Sequence, residues 1–270
     1  MDGMNGQYDM KTQVFDISGK NKRNIHGELF TPNGTGPFPV LIVSHGFNAC
    51  YHDLVNHAEG FAKAGIATIF FDFCGGSTRS TSEGCMQDMT VLTEVDDLET
   101  VIEYASGQEL LLSDQIYLLG ESMGGFVSAY VAAKKGSYDE EGHGYRNPVS
   151  NLIKGIILWY PAFVIPEDSR ARYEAGDVNC LGIPMSMRFN EEAMGIDIDA
   201  LFAGYDKPVL LIHGEGDQLV PISYSQRARA GYADARLEII PGAGHGFDGA
   251  DSILAREKTI SFILHHLNWK

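Results

Sequence analysis

Paired cysteines are missing: the four that the 270 residues contain, Cys50, Cys74, Cys85 and Cys180, form no CxxC pair and follow no spacing of a disulfide scaffold or zinc site. Reduced thiols, no bound metal and no cofactor are the expectation. Positive charge is scarce as well, with 20 basic residues against 36 acidic ones and a formal net charge of −16. Such a field repels nucleic acid and anionic membrane surfaces, so neither is an expected partner. Long apolar runs are lacking too. Residues Met1 to Lys20 are polar and acidic with no apolar signal core, and nowhere does the chain approach the ~20 apolar residues of a membrane span. A soluble, cytoplasmic protein is therefore expected, without internal repeats or low-complexity tracts.

What is present is a core. Hydrophobic residues make up 44% of the chain, enough for one large α/β domain. Short, nearly continuous apolar runs at Val40–Val43, Ala67–Phe71, Ile116–Leu119, Ile156–Trp159, Val209–Ile212 and Leu237–Ile240 alternate with segments of helical period. That alternation predicts an α/β fold with a mostly parallel central sheet and helices on both faces, its strands buried on both sides. Gln13–Asp16 and Ile25–Phe30 read as two antiparallel edge strands leading in. Val91, Val95, Leu98, Ile102 and Ala105 mark a helix whose acidic residues, Glu94, Asp96, Asp97, Glu99 and Glu103, are expected on a solvated face. Residues 163–207 break the rhythm with Pro166, Pro184 and three methionines, and a connection this long reads as a cap inserted into a core of residues 1–162 and 208–270.

Chemistry enters at Gly120-Glu121-Ser122-Met123-Gly124, which follows a predicted strand directly and leads into a helix predicted over Phe126–Lys135. A serine hydroxyl is a poor nucleophile at neutral pH, and this predicted strand, tight turn, helix arrangement resembles the nucleophile elbow of the α/β-hydrolase fold, which holds the hydroxyl exposed beside a base. The Met123 amide, at the start of that helix, is one candidate oxyanion donor. The Phe47 amide, in His45-Gly46-Phe47 beyond the strand Val40–Val43, is the second, with His45 itself read as a structural histidine that fixes the loop. Nine histidines compete for the base. Chain order in this fold runs Ser, acid, His, which selects His245 in Gly244-His245-Gly246 after the last strand. The acid then belongs to His213-Gly214-Glu215-Gly216-Asp217, where Asp217 is favoured over Glu215 because the chain turns immediately after it. His265 and His266 fall within the final helix and are expected at the surface.

These motifs, with Phe71-Asp72-Phe73 and Gly125, resemble those of the bacterial feruloyl (cinnamoyl) esterases, within a broader group that includes monoacylglycerol lipases and other carboxylesterases. The resemblance runs over most of the chain. It implies the α/β-hydrolase fold, a serine carboxylic ester hydrolase working through an acyl-enzyme, and a small-molecule ester held under the cap. A homodimer is allowed. It also implies a cap aspartate and a cap tyrosine that recognise a phenolic hydroxyl of the acyl group. Asp168, after Pro161-Ala162, matches the aspartate; Phe189 stands near the place of the tyrosine and lacks its hydroxyl. Other readings of the same motifs are a monoacylglycerol lipase-like or general carboxylesterase, a serine peptidase, and a binding protein without activity.

Overall fold

The computed structural model describes residues 10–134 and 148–267, with the backbone of 137–138 and 145–146. Its frame is one eight-stranded sheet: β1 (Lys11–Ser18), β2 (Asn24–Thr31), β3 (Phe38–Ser44), β4 (Ala67–Phe71), β5 (Leu111–Glu121), β6 (Ile153–Trp159), β7 (Val209–Gly214) and β8 (Ala235–Ile240). Spatial order is β1-β2-β4-β3-β5-β6-β7-β8, in which β2 pairs antiparallel with β1 and β4 and all other neighbours are parallel. Only β1 is therefore an edge of the leading pair; β2 lies inside the sheet.

The continuous apolar runs are explained by the two faces. Val40 and Ile42, Ile116 and Leu118, Ile156 and Leu158 point into one core, while Leu41 and Val43, Tyr117 and Leu119, Ile157 and Trp159 point into the other. A strand with core on both sides favours apolar residues at nearly every position, and Thr68 of β4 is a buried exception. Helices α1 (Ala58–Lys63) and α8 (Gly249–His266) contribute Phe61, Ala255 and Ile263 to the second core; α2 (Val91–Ser106), α3 (Met123–Ala133) and α7 (Ser223–Gly231) contribute Val95, Phe126 and Ala228 to the first. The buried Trp159 indole donates to Thr259 Oγ1 of α8 at 3.1 Å, so β6 is pinned to the helix behind it. β8 departs from the pattern: it is the far edge, and Ile239 is exposed although its neighbour Ile240 is buried.

The helix α3 begins three residues earlier than expected and ends at Ala133, while the predicted end at Lys135 lies outside the described residues. A larger correction concerns α2, where Glu94, Asp97 and Glu99 are buried. The helix is covered on more than its sheet side. Asp97 accepts the Cys74 amide at 2.8 Å, and Glu99 pairs with Lys20 and, at 2.8 Å, with Lys134. Only Glu103, of the five acids, is exposed.

Residues 163–207 form α4 (Ile165–Ala175), a two-stranded ribbon of Asn179–Cys180 with Ile183–Pro184, α5 (Met187–Ala193) and α6 (Ile198–Gly204). Phe163, Met185, Phe189 and Phe202 from this segment join the first core, which accounts for its aromatic and methionine content. Among the described residues no helix is long and apolar enough to cross a membrane.

Candidate active site

The end of β5 sets the geometry. Ser122 stands between β5 and α3 with φ 51° and ψ −116°, a backbone conformation that few residues other than glycine adopt and that persists only where the surroundings impose it. They do so through two hydrogen bonds, Ser122 N–H to the Trp159 carbonyl and Ala162 N–H to the Ser122 carbonyl, both at 2.9 Å. The turn closes because its flanks lack side chains: a Cβ on Gly120 would lie 2.2 Å from the Gly124 carbonyl oxygen, and one on Gly124 2.4 Å from that of Ser44.

Three side chains from separate loops meet at this elbow. His245, in the loop after β8, places Nε2 2.9 Å from Ser122 Oγ and Nδ1 2.8 Å from Asp217 Oδ2. Asp217, in the loop after β7, is buried, whereas Glu215 two residues before it points to solvent. Its other oxygen, Oδ1, accepts the amides of Leu219 at 2.9 Å and Val220 at 2.8 Å, so the carboxylate is held by its own turn. With Asp217 accepting Nδ1–H, the lone pair of Nε2 faces the serine hydroxyl.

His213 belongs to the same constellation, although the sequence offered it only as part of a motif. Its Nε2 lies 3.2 Å from Asp217 Oδ2 and 2.9 Å from the Val220 carbonyl, and Nδ1 meets Ser225 Oγ at 2.8 Å. Burial lowers its pKa, which favours a neutral ring that shores up the acid loop. His45 is also buried and lowered by desolvation; its Nδ1 donates to the Gly46 carbonyl at 2.8 Å and its Nε2 accepts the Phe73 amide at 3.1 Å. It fixes the loop and stays away from the proton path. His265 is exposed and His266 Nδ1 donates to Phe262 O at 2.8 Å on α8; His143 lies outside the described residues.

That loop crosses directly over the serine, since a Cβ on Gly46 would lie 3.2 Å from Ser122 Cβ. The next amide is Phe47. Neither it nor the Met123 amide has a hydrogen-bond acceptor among the described residues, which leaves two donors beside Ser122. A pocket opens from Ser122 and is walled by Phe47, Asp168 and Arg172 of α4, Cys180 of the ribbon, and Phe189 of α5. The Phe189 ring packs edge-on to Phe47 with centroids 6.5 Å apart. Arg172 is tethered to Asn190 Oδ1 and Ser169 Oγ, each at 3.0 Å, one helical turn from Asp168. Partial burial raises the Asp168 carboxyl from its ordinary value, against the lowering effect of Arg172. Asp168 and Phe189 thus both reach the pocket, and Arg172 and Cys180 had no signal in the sequence.

Comparison with known proteins agrees with this architecture. Residues 39–158 match the family model described as the alpha/beta hydrolase fold. A monoacylglycerol lipase from Mycolicibacterium smegmatis is 24% identical over 89% of this chain and 92% of its own. Est1E from Butyrivibrio proteoclasticus, solved with ferulic acid bound, superposes with a TM-score of 0.79 at 24% identity, covering 93% of this chain and 98% of the other. Acetyl xylan esterase 1 from Thermoanaerobacterium sp. gives 0.66 at 19% identity, covering 96% and 89%.

Proposed function

We propose, from the α/β-hydrolase fold that this chain has, that it is a serine carboxylic ester hydrolase acting through an acyl-enzyme. The observation that carries the reading is the unbroken chain Ser122 Oγ, His245, Asp217, with links of 2.9 and 2.8 Å. In acylation Ser122 Oγ attacks the ester carbonyl carbon while its proton passes to His245 Nε2. The carbonyl electrons move to oxygen, where the Phe47 and Met123 amides receive the oxyanion. Collapse expels the alcohol, which takes the proton from His245. Water then enters on the same path: its oxygen bonds to the acyl carbon as His245 takes a proton from it, and collapse breaks the bond to Ser122 Oγ, which recovers that proton from His245 as the acid leaves. Asp217 orients the imidazole and stabilises its charged form in both halves.

The acyl group lies under the segment of residues 163–207, which serves as the cap. Phe47 and Phe189 suit a flat or apolar acyl group, and Asp168 offers an acceptor for a hydroxyl at its far end. Support for feruloyl or related cinnamoyl esters comes from that combination and from the likeness to Est1E with ferulic acid bound. A monoacylglycerol lipase-like activity is the second reading, favoured by the Mycolicibacterium smegmatis relative. Assay of methyl ferulate, methyl cinnamate, p-nitrophenyl butyrate and a monoacylglycerol side by side tests both. Turnover of the aromatic methyl esters above the others supports the first reading, and preference for the glycerol ester replaces it with the second.

A further inference from the structure

Glu121 is the last residue of β5, one position before the nucleophile, and its half-buried carboxylate meets Tyr160 behind the site. Burying a carboxylate there is costly unless donors meet it. Two do. The Tyr160 hydroxyl donates to Glu121 Oε2 at 2.5 Å, and the Gly46 amide faces the same carboxylate and favours its charged form. Burial pushes the Glu121 carboxyl up while these donors pull it down, and Asp53 adds a weaker upward push. The Tyr160 phenol is driven well above its ordinary range by burial and by Glu121, with Asp217 adding to the effect, so it stays a donor.

Tyr160 is itself constrained. It follows β6 with φ 38°, in the left-handed region that a bulky residue adopts only at a cost, and its amide is held by the Ile212 carbonyl of β7 at 2.7 Å. Its ring meets that of His245 edge to face with centroids 4.8 Å apart, and that of Phe247 at 4.6 Å. One end of the side chain is therefore fixed by Glu121, and its body forms the wall behind the imidazole. Glu121 also packs against the loop: a Cβ on Gly46, the residue before the Phe47 amide, would lie 3.5 Å from the Glu121 carbonyl oxygen.

We infer that Glu121 and Tyr160 form one positioning unit, which holds the His245 ring and the Gly46–Phe47 loop in register with Ser122. The inference rests on the serine hydrolase reading. Neither residue lies on the proton path; both act through the groups that do.

The test is a double-mutant cycle of Tyr160→Phe and Glu121→Gln, both of which keep side-chain volume. Each single variant is expected to lose roughly 10-fold in kcat on p-nitrophenyl butyrate, with KM within about 2-fold, because the loss falls on the transition state. The double variant should lose no more than the weaker single, since a unit is broken only once. Thermal unfolding checks that each variant is folded; should Glu121→Gln unfold, Tyr160→Phe alone decides. A kcat for Tyr160→Phe within about 2-fold of the parent, or losses that multiply in the double variant, overturns the inference. Fluorophosphonate labelling of the parent separates the two claims. If the parent turns over ester and is labelled at Ser122 while the variants match it, this inference alone fails; if the parent does neither, the hydrolase reading fails and the inference falls with it.

Discussion

At Ser122 the backbone carries strain and the hydroxyl carries the chemistry, so the two separate in a single substitution. Ser122→Ala removes Oγ and leaves the hydrogen bonds of its amide and carbonyl to Trp159 and Ala162 in place. Ester turnover should fall by roughly 10⁴-fold or more with the unfolding midpoint nearly unchanged, as kinetics and calorimetry on the same sample will show. Asp168 makes a finer point. Asp168→Asn keeps the shape but weakens an acceptor whose charge-assisted bond to a hydroxyl contributes about 1.5–3 kcal/mol. The variant should lose roughly 10-fold or more in kcat/KM on methyl ferulate and little on methyl cinnamate, which has no hydroxyl to offer. Since burial raises the Asp168 carboxyl from its ordinary value, the parent's preference for methyl ferulate should also weaken as pH falls and protonates the acceptor. Equal losses on both esters would assign Asp168 to the cap's structure instead.

At the scale of elements, α2 is where charge and stability meet. Burial lifts the Asp97 carboxyl to about 7, and Glu94 beside it well above its ordinary value. An acid whose pKa is higher folded than unfolded binds more protons in the native state, so its contribution to stability falls as pH rises from about 4 to about 7. Asp97→Asn keeps an oxygen for the Cys74 amide and removes the buried charge. Its unfolding midpoint should exceed the parent's at pH 8 by about 3 °C or more, at 2–4 °C per kcal/mol for a chain of this size, and the gap should close towards pH 5. A gap independent of pH would show that Asp97 is not the titrating group. These acids were misread from the sequence because helical period identifies one buried stripe and says nothing of a second covering. The strands were legible because burial on both faces leaves an unmistakable apolar run, and the exception, β8, is the edge that solvent reaches.

Across the whole molecule, the site is assembled from four strand ends that parallel order brings to one edge of the sheet. That is why its motifs could be read in the sequence: each is a local turn, and chain order together with the turn around each residue ranks Ser122, Asp217 and His245 against their competitors. Contacts between distant turns left no such mark. Tyr160 carries no motif, yet its hydroxyl reaches Glu121, 39 positions away, and its ring reaches His245. Arg172 and Cys180 enter the pocket only because α4 and the ribbon fold back over Ser122. The central claim is that this edge holds one activated serine, and fluorophosphonate labelling followed by peptide mass mapping tests it most directly. The account predicts one adduct per chain, on Ser122, that disappears in His245→Ala. No adduct, or one on another residue that survives this substitution, would contradict it.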